Sequence, residues 1–148
     1  MGSTYFITAS TAQRRAILLS ERMAALLADV LMQTRRRNVL IHDFVIMPEH
    51  FHVLLAIPQD LTIKRAVQFI KGGFSFRAKR ECGFNGEVWQ AGYHDRRVRD
   101  FEEFRNFSSY IRANPVKRGL CVHEDEYGWS SANSNFQSDS LPQRLKPR

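Results

Sequence analysis

At 148 residues and 43% apolar side chains, the chain has the size and composition of one domain with a buried core. Lys and Arg outnumber Asp and Glu by 22 to 15 and the pI is near 9.9, a balance that favours a polyanionic partner because phosphate contacts release counterions. Two distant cysteines, Cys82 and Cys121, argue against a disulfide framework or a cysteine zinc site; with no secretory leader and no apolar run approaching ~18 residues, the expectation is a soluble cytoplasmic protein without a membrane segment.

TYFITAS, residues 4–10, is rich in β-branched and aromatic residues and predicts a first strand. Leu19, Met23, Leu26, Leu27, Val30 and Leu31 recur at helical spacing and predict a helix from about 15 to 36, ending in the cations Arg35, Arg36 and Arg37. VLIHDFVIM and HFHVLLAI, separated by Pro48 and Glu49, predict an antiparallel hairpin. Ile63, Ala66, Val67, Ile70 and Phe74 predict a second helix over about 61–80, weakened at Gly72 and Gly73. EVWQAGYHDRRV supplies a fourth strand and a loop, and Phe101, Phe104, Phe107 and Ile111 predict a third helix over 100–113, stopped by Pro115. The polar stretch from 131 to 148 is expected to be a mobile tail behind a single domain of residues 1–130. There is no internal repeat.

The order β-α-β-β-α-β plus a helix predicts an α+β fold. It is a ferredoxin-like split βαβ core with an antiparallel sheet and helices on one face, followed by a C-terminal helix. Such a fold does not by itself give a function.

Alternation along a strand points His50 and His52 the same way and sends Phe51, Val53 and Leu55 to the other face. Two imidazoles side by side can chelate one divalent ion, and zinc, manganese and magnesium all suit by ligand type. A His-x-His pair on a strand is also an ordinary structural feature, so a third ligand is needed. In YIRANPVKRGL, Tyr110 and Asn114 are four apart and share one face of the third helix. There a phenol can attack phosphorus while an amide oxygen completes the metal site. The simpler reading packs Tyr110 in the core and has Asn114 cap the helix before Pro115, and spacing alone favours it.

MPEHFHVLL, WQAGYHDRRVRD and YIRANPVKRGL, in that order, resemble the single-tyrosine HUH transposases, in their branch of REP-associated tyrosine transposases. The His–hydrophobic–His signature stands here as His50, Phe51 and His52, and the resemblance spans roughly residues 4–120. It implies cleavage of single-stranded DNA beside palindromes that fold into hairpins, on a ferredoxin-like core, with a divalent Mg or Mn ion. Carried over by position, His50 and His52 are metal ligands, Tyr110 is the nucleophile on a catalytic helix, and Asn114 is the third protein ligand, where related insertion-sequence transposases often have Gln. The implied product is a 5′-phosphotyrosine link that a 3′-OH can reverse. A monomer and a homodimer, with the tyrosine acting in cis or in trans, both remain open.

Three basic groups are candidates for DNA binding: Arg35, Arg36 and Arg37; Lys64 to Arg80, including Lys71, Arg77, Lys79 and Arg80 interleaved with Phe74 and Phe76; and Arg96 to Arg118, in which Arg96, Arg97 and Arg99 stand out. A solvated helix face and a core Phe74 explain the second group equally well. His94 is a further candidate near the site, and Trp89 is a stacking platform or a core residue. A noncatalytic binder on the same fold, and a nuclease that uses water in place of Tyr110, are the alternatives.

Overall fold

The computed structural model describes residues 2–133, 135, 136 and 138–140. Its strands are β1 (Ser3–Ser10), β2 (Leu40–Ile46), β3 (His50–Ile57) and β4 (His94–Val98). Its helices are α1 (Glu21–Gln33), α2 (Ile63–Cys82) and α3 (Phe101–Lys117). The strands form one antiparallel sheet in the order β2-β3-β1-β4, which is the ferredoxin-like α+β arrangement expected from the element order. Among the described residues no helix is long and apolar enough to cross a membrane.

The central strand β3 is buried along its whole length, and its alternation divides the molecule. Phe51, Val53, Leu55 and Ile57 face α1 and α2 and join Leu27, Leu31, Val67, Ile70 and Phe74 in the main core. Leu54 faces the other way and meets Val45, Met47, Val98 and Ile111 of α3 in a second, smaller cluster. Hence α1 and α2 cover one face of the sheet and α3 lies on the other. His50 and His52 share the parity of Leu54, so they lie under α3.

An extra residue in β2 keeps this division intact. The register of β2 against β3 shifts between Ile41 and Asp43, leaving His42 as a bulge. Without it, Asp43 would fall on the α1/α2 face. With it, Asp43 stands opposite Leu54, toward α3, while Phe44 and Ile46 enter the main core.

Two predicted helix boundaries are corrected. The first helix begins at Glu21 and not near 15, because Ser20 caps it by accepting from the Met23 amide. Residues 12–14 and 17–19 form 3₁₀ turns instead, the Leu18 amide bonds to Pro48 O at 2.9 Å, and Leu19 is exposed. Pro115 does not stop α3, which continues to Lys117. The proline removes one backbone N–H donor from the helix, and the last turn nevertheless closes through Arg118 N to Asn114 O and Leu120 N to Pro115 O. Asn114 is therefore a helical residue and not the cap.

Packing also runs past residue 130. Ile46 N donates to Trp129 O, Ser131 N to Phe44 O and Asp139 N to Ile41 O, so the chain follows the outer edge of β2. Phe136 packs edge-on against Phe44, and the Asp139 carboxylate accepts from Arg35 Nε and Ile41 N. The described part of the expected mobile tail is thus bound to the sheet; residues 141–148 lie outside the described residues.

Candidate active site

His50 and His52 project from β3 toward α3, and both are buried. Their Nε2 atoms are 3.2 Å apart. Behind them, His50 Nδ1 is 2.9 Å from Glu49 Oε1 and His52 Nδ1 is 2.7 Å from Thr8 Oγ1 of β1. A carboxylate only accepts, so the Glu49 contact places the His50 proton on Nδ1 and leaves a lone pair on Nε2. When His52 donates to Thr8, both Nε2 lone pairs face one 3.2 Å gap, an arrangement a cation stabilises. Two imidazole nitrogens bound to a common ion at ~2.1 Å can stand this far apart, so the pair is spaced to share one. Burial lowers the pKa of His50, with Glu49 opposing. Burial and then neighbouring His50 bring His52 down to about 3. Both shifts favour the neutral ring, the state a metal ligand requires.

α3 brings Tyr110 and Asn114 to the same place. Tyr110 is 45% exposed, and its ring meets His52 edge-on at 5.3 Å between centroids. Phe6 of β1 stacks on His52 on one side and on Phe107 of α3 on the other, at 5.3 and 4.5 Å, fixing the helix over the histidines. Asn114, one turn on, is 7% exposed. Thr8, Ser10, Arg14, His50, His52, Tyr110, Asn114 and Arg118 together line a cleft of about 290 Å³. No trio of His, Cys, Asp or Glu converges among the described residues. A third protein donor to an ion here would be of another type, and Asn114 is the neutral amide that lines the cleft.

The other three tyrosines of the chain are otherwise engaged. Tyr127 donates its hydroxyl to Ile46 O at 2.6 Å, and burial pushes its pKa up to about 12. Tyr5 and Tyr93 pack against the main core.

Thr8, Ser10 and Arg14 of the cleft, and Glu49 behind it, are marked by no pattern in the sequence, whereas Arg118 closes the third basic group. Arg14 and Arg118 come from the connections after β1 and after α3, and both reach Glu49 Oε1, at 3.5 and 2.9 Å. Burial raises the Glu49 pKa, but hydrogen bonds from Arg118 and His50 outweigh it and hold the carboxyl below its usual range. Only the adjacency of Glu49 to His50 could have pointed to it; Arg14 lies 36 positions upstream of His50 in an unpatterned turn.

Residues 2–114 match the family model described as Transposase IS200 like. The chain belongs to the IS200-like transposase family. A REP-associated tyrosine transposase of Escherichia coli (strain K12) is 28% identical over 142 residues, covering 95% of this chain and 83% of the relative. A solved REP-associated tyrosine transposase bound to a REP hairpin superposes with a TM-score of 0.74 at 23% identity, covering 99% of this chain and 92% of that one. The second of these likenesses speaks for the fold.

In this IS200-like transposase the three basic groups occupy different surroundings. Arg36, Arg37 and Arg77 line a groove of about 560 Å³ between α1 and α2, on the sheet face away from Tyr110. Arg37 lies 3.6 Å over the Phe69 ring, and Arg77 is bound to Asp29 and Glu81. Arg35 is paired with Asp139. Lys71 spends its ammonium on the carbonyls of Gln90 and Gly92, at 3.1 and 2.7 Å, and so holds the loop before β4. Lys79 lines a smaller hollow with Phe84 and Asn85, and Arg80 lies 6.0 Å from the exposed Phe76 ring. Phe74 is core, and the partly buried Trp89 packs against it and Phe51 and donates to Lys71 O.

β4 is the basic strand nearest the cleft. Its register sets His94 opposite Thr8 and Arg96 opposite Phe6. Cross-strand partners share a face, so both project on the side of His52 and α3. Arg97 pairs with Tyr5 and projects on the other side. Arg99 starts the turn into α3, its amide donating to Glu103.

Proposed function

We propose that this transposase cleaves and rejoins single-stranded DNA at palindromic hairpins through a covalent 5′-phosphotyrosine on Tyr110. The observation that carries this reading is the edge-on contact of Tyr110 with His52 inside one cleft that also holds His50 and Asn114, all from a single chain. The hairpin partner is inferred from the REP hairpin held by the solved relative and from the excess of basic residues.

His50 Nε2, His52 Nε2 and the Asn114 amide oxygen are the atoms that would hold a divalent Mg or Mn ion. When bound, it supplies positive charge at the scissile phosphate. Tyr110 Oη attacks the phosphorus, the P–O3′ bond breaks, and the departing 3′ oxygen takes up a proton as the phenol gives one up. One phosphodiester replaces another, so a 3′-OH reverses the step without an external energy source. The Asn114 amide oxygen is a neutral acceptor, Glu49 holds the His50 proton on Nδ1 and so leaves its Nε2 free, and the exposure of Tyr110 lets a strand reach its hydroxyl.

The test is incubation of the protein with end-labelled single-stranded hairpin DNA and Mn²⁺ or Mg²⁺, comparing wild type with Tyr110→Phe. A protein–DNA band that survives denaturation, needs the ion and is lost in Tyr110→Phe is expected. Cleavage persisting in Tyr110→Phe would identify a water-using nuclease, and binding with neither cleavage nor linkage would identify a noncatalytic binder.

A further inference from the structure

The turn after β1 is held in an unfavourable backbone conformation. Gln13 and Arg14 have φ of 56° and 51°, two successive residues with side chains in the left-handed region. Buried Thr11 secures the turn: its amide donates to Glu49 O at 2.9 Å, its Oγ1 lies 2.6 Å from Arg15 O, and the next amide, of Ala12, donates to Val88 O. The consequence is that the Arg14 side chain lines the cleft of Tyr110 and the histidines, across from Arg118.

What Arg14 gains from its neighbours does not account for this arrangement. Its guanidinium contacts are long, 3.5 Å to Glu49 Oε1 and 3.3 Å to Ser10 Oγ, and its side chain is 57% exposed. Arg118 makes one good bond to the same Glu49 oxygen and is 46% exposed. Each guanidinium carries five N–H donors in a planar fork suited to phosphate oxygens, and most of these remain uncommitted to Glu49. Two arginines against one carboxylate leave a net positive charge at the rim, beside the tyrosine hydroxyl. Conformations of this kind persist where the surrounding structure enforces them, and they cluster at ligand clamps.

We propose that Arg14 and Arg118, anchored on Glu49, form a guanidinium clamp that grips the non-bridging oxygens of the phosphodiester presented to Tyr110. The clamp rests on the reading of Tyr110 as nucleophile, but its binding component can be measured without any cleavage. It binds backbone phosphate and no base, so it acts on any single strand that enters the cleft.

A fluorescent 12-nucleotide oligothymidylate is titrated with wild type, Arg14→Gln, Arg118→Gln and Arg22→Gln over a range of salt concentrations. The last removes the same charge from α1, on the opposite face of the sheet. Each clamp variant is expected to reduce the slope of log Kd against log salt by about 0.7, the value for one single-strand phosphate contact, with Arg22→Gln at the wild-type slope. In parallel, the rate of covalent adduct formation should fall at least tenfold in Arg14→Gln and partly recover in Arg14→Lys. The Mn²⁺-induced rise in unfolding temperature should stay at the wild-type value in Arg14→Gln, whereas a purely structural role through Glu49 and His50 would reduce it. An unchanged slope, or one reduced equally by Arg22→Gln, overturns the clamp. Failure of wild type to form any adduct overturns the nucleophile reading, while the salt slope still decides for or against the clamp.

Discussion

Ser108 of α3 donates its hydroxyl to the Asp43 carboxylate of β2 at 2.5 Å. Arg112 Nε reaches the same carboxylate at 3.3 Å, so the two α3 residues that flank Tyr110 by two positions on either side are both tied to one buried acid. Ser131 adds a third bond at 2.7 Å from the segment that follows the β2 edge. The orientation of the tyrosine helix therefore depends on the β2 bulge, which turns Asp43 toward α3.

Asp43→Asn keeps the size of the side chain but removes the charge and one acceptor. It should destabilise the protein by about 1.5–3 kcal/mol, the range for hydrogen bonds to charged groups, measured by urea denaturation. Adduct formation should fall as well, because α3 loses its orientation over His52. Wild-type stability in Asp43→Asn would remove this residue from the account of how Tyr110 is placed.

On the proposed metal reading, Mn²⁺ or Mg²⁺ binds the folded chain and stabilises it, by about 2.7 kcal/mol at a hundred times Kd. Thermal unfolding with and without the ion should show a rise for wild type and none for His52→Ala. Glu49→Gln should leave the fold intact and weaken ion affinity by ~10–100-fold, since Glu49 fixes the proton and ring of His50. An equal ion effect in wild type and His52→Ala would move the binding site elsewhere.

Acid should unfold the protein through its buried histidines. Burial lowers the pKa of His42 and His50, and that of His52 to about 3, against 6.5 in an open chain. Below pH 6.5 the unfolded state then binds more protons than the native one, so stability falls with decreasing pH. The slope is at most about 1.4 kcal/mol per pH unit for each histidine. Glu49, held below its usual range, acts in the same direction only at more acid pH. His52→Gln should make the profile between about pH 6.5 and 4 shallower by one proton, and a parallel profile would show that His52 is not buried neutral.

Removal of everything after Ser130 tests the packing along β2. It takes away the Ser131–Asp43 bond, the Phe136 contact with Phe44 and the Asp139 bonds to Arg35 and Ile41. A loss of about 2–4 kcal/mol is expected. The uncovered strand edge should also promote concentration-dependent self-association, visible in sedimentation. A truncated chain as stable and as monodisperse as the full one would mean that the segment contributes nothing.

Gln13→Gly should tolerate the left-handed turn better than the native residue. The expected gain is below about 1 kcal/mol, because glycine also enlarges the freedom of the unfolded chain. Ala in place of Gln13 should bring no such gain, and the two variants are compared by thermal unfolding.

The sequence by itself determined the element order, the antiparallel hairpin and the side on which His50 and His52 emerge, because strand alternation and helical periodicity are local properties of the chain. It also determined that Tyr110 and Asn114 share a helix face, since four residues make about one turn. Pro115 misled because a proline weakens a helix at one bond without having to end it, and the extra residue at His42 left no mark because a bulge is a mismatch between two strands. Only the tertiary structure decided that α3 lies on the histidine side of the sheet, which turns two separate pairs of residues into one cleft. It also spread the arginines, adjacent in the chain or clustered by composition, over both faces. Arg14, Glu49 and Arg118 meet there through contacts between residues 35 and 69 positions apart, and no periodicity records separations of that length.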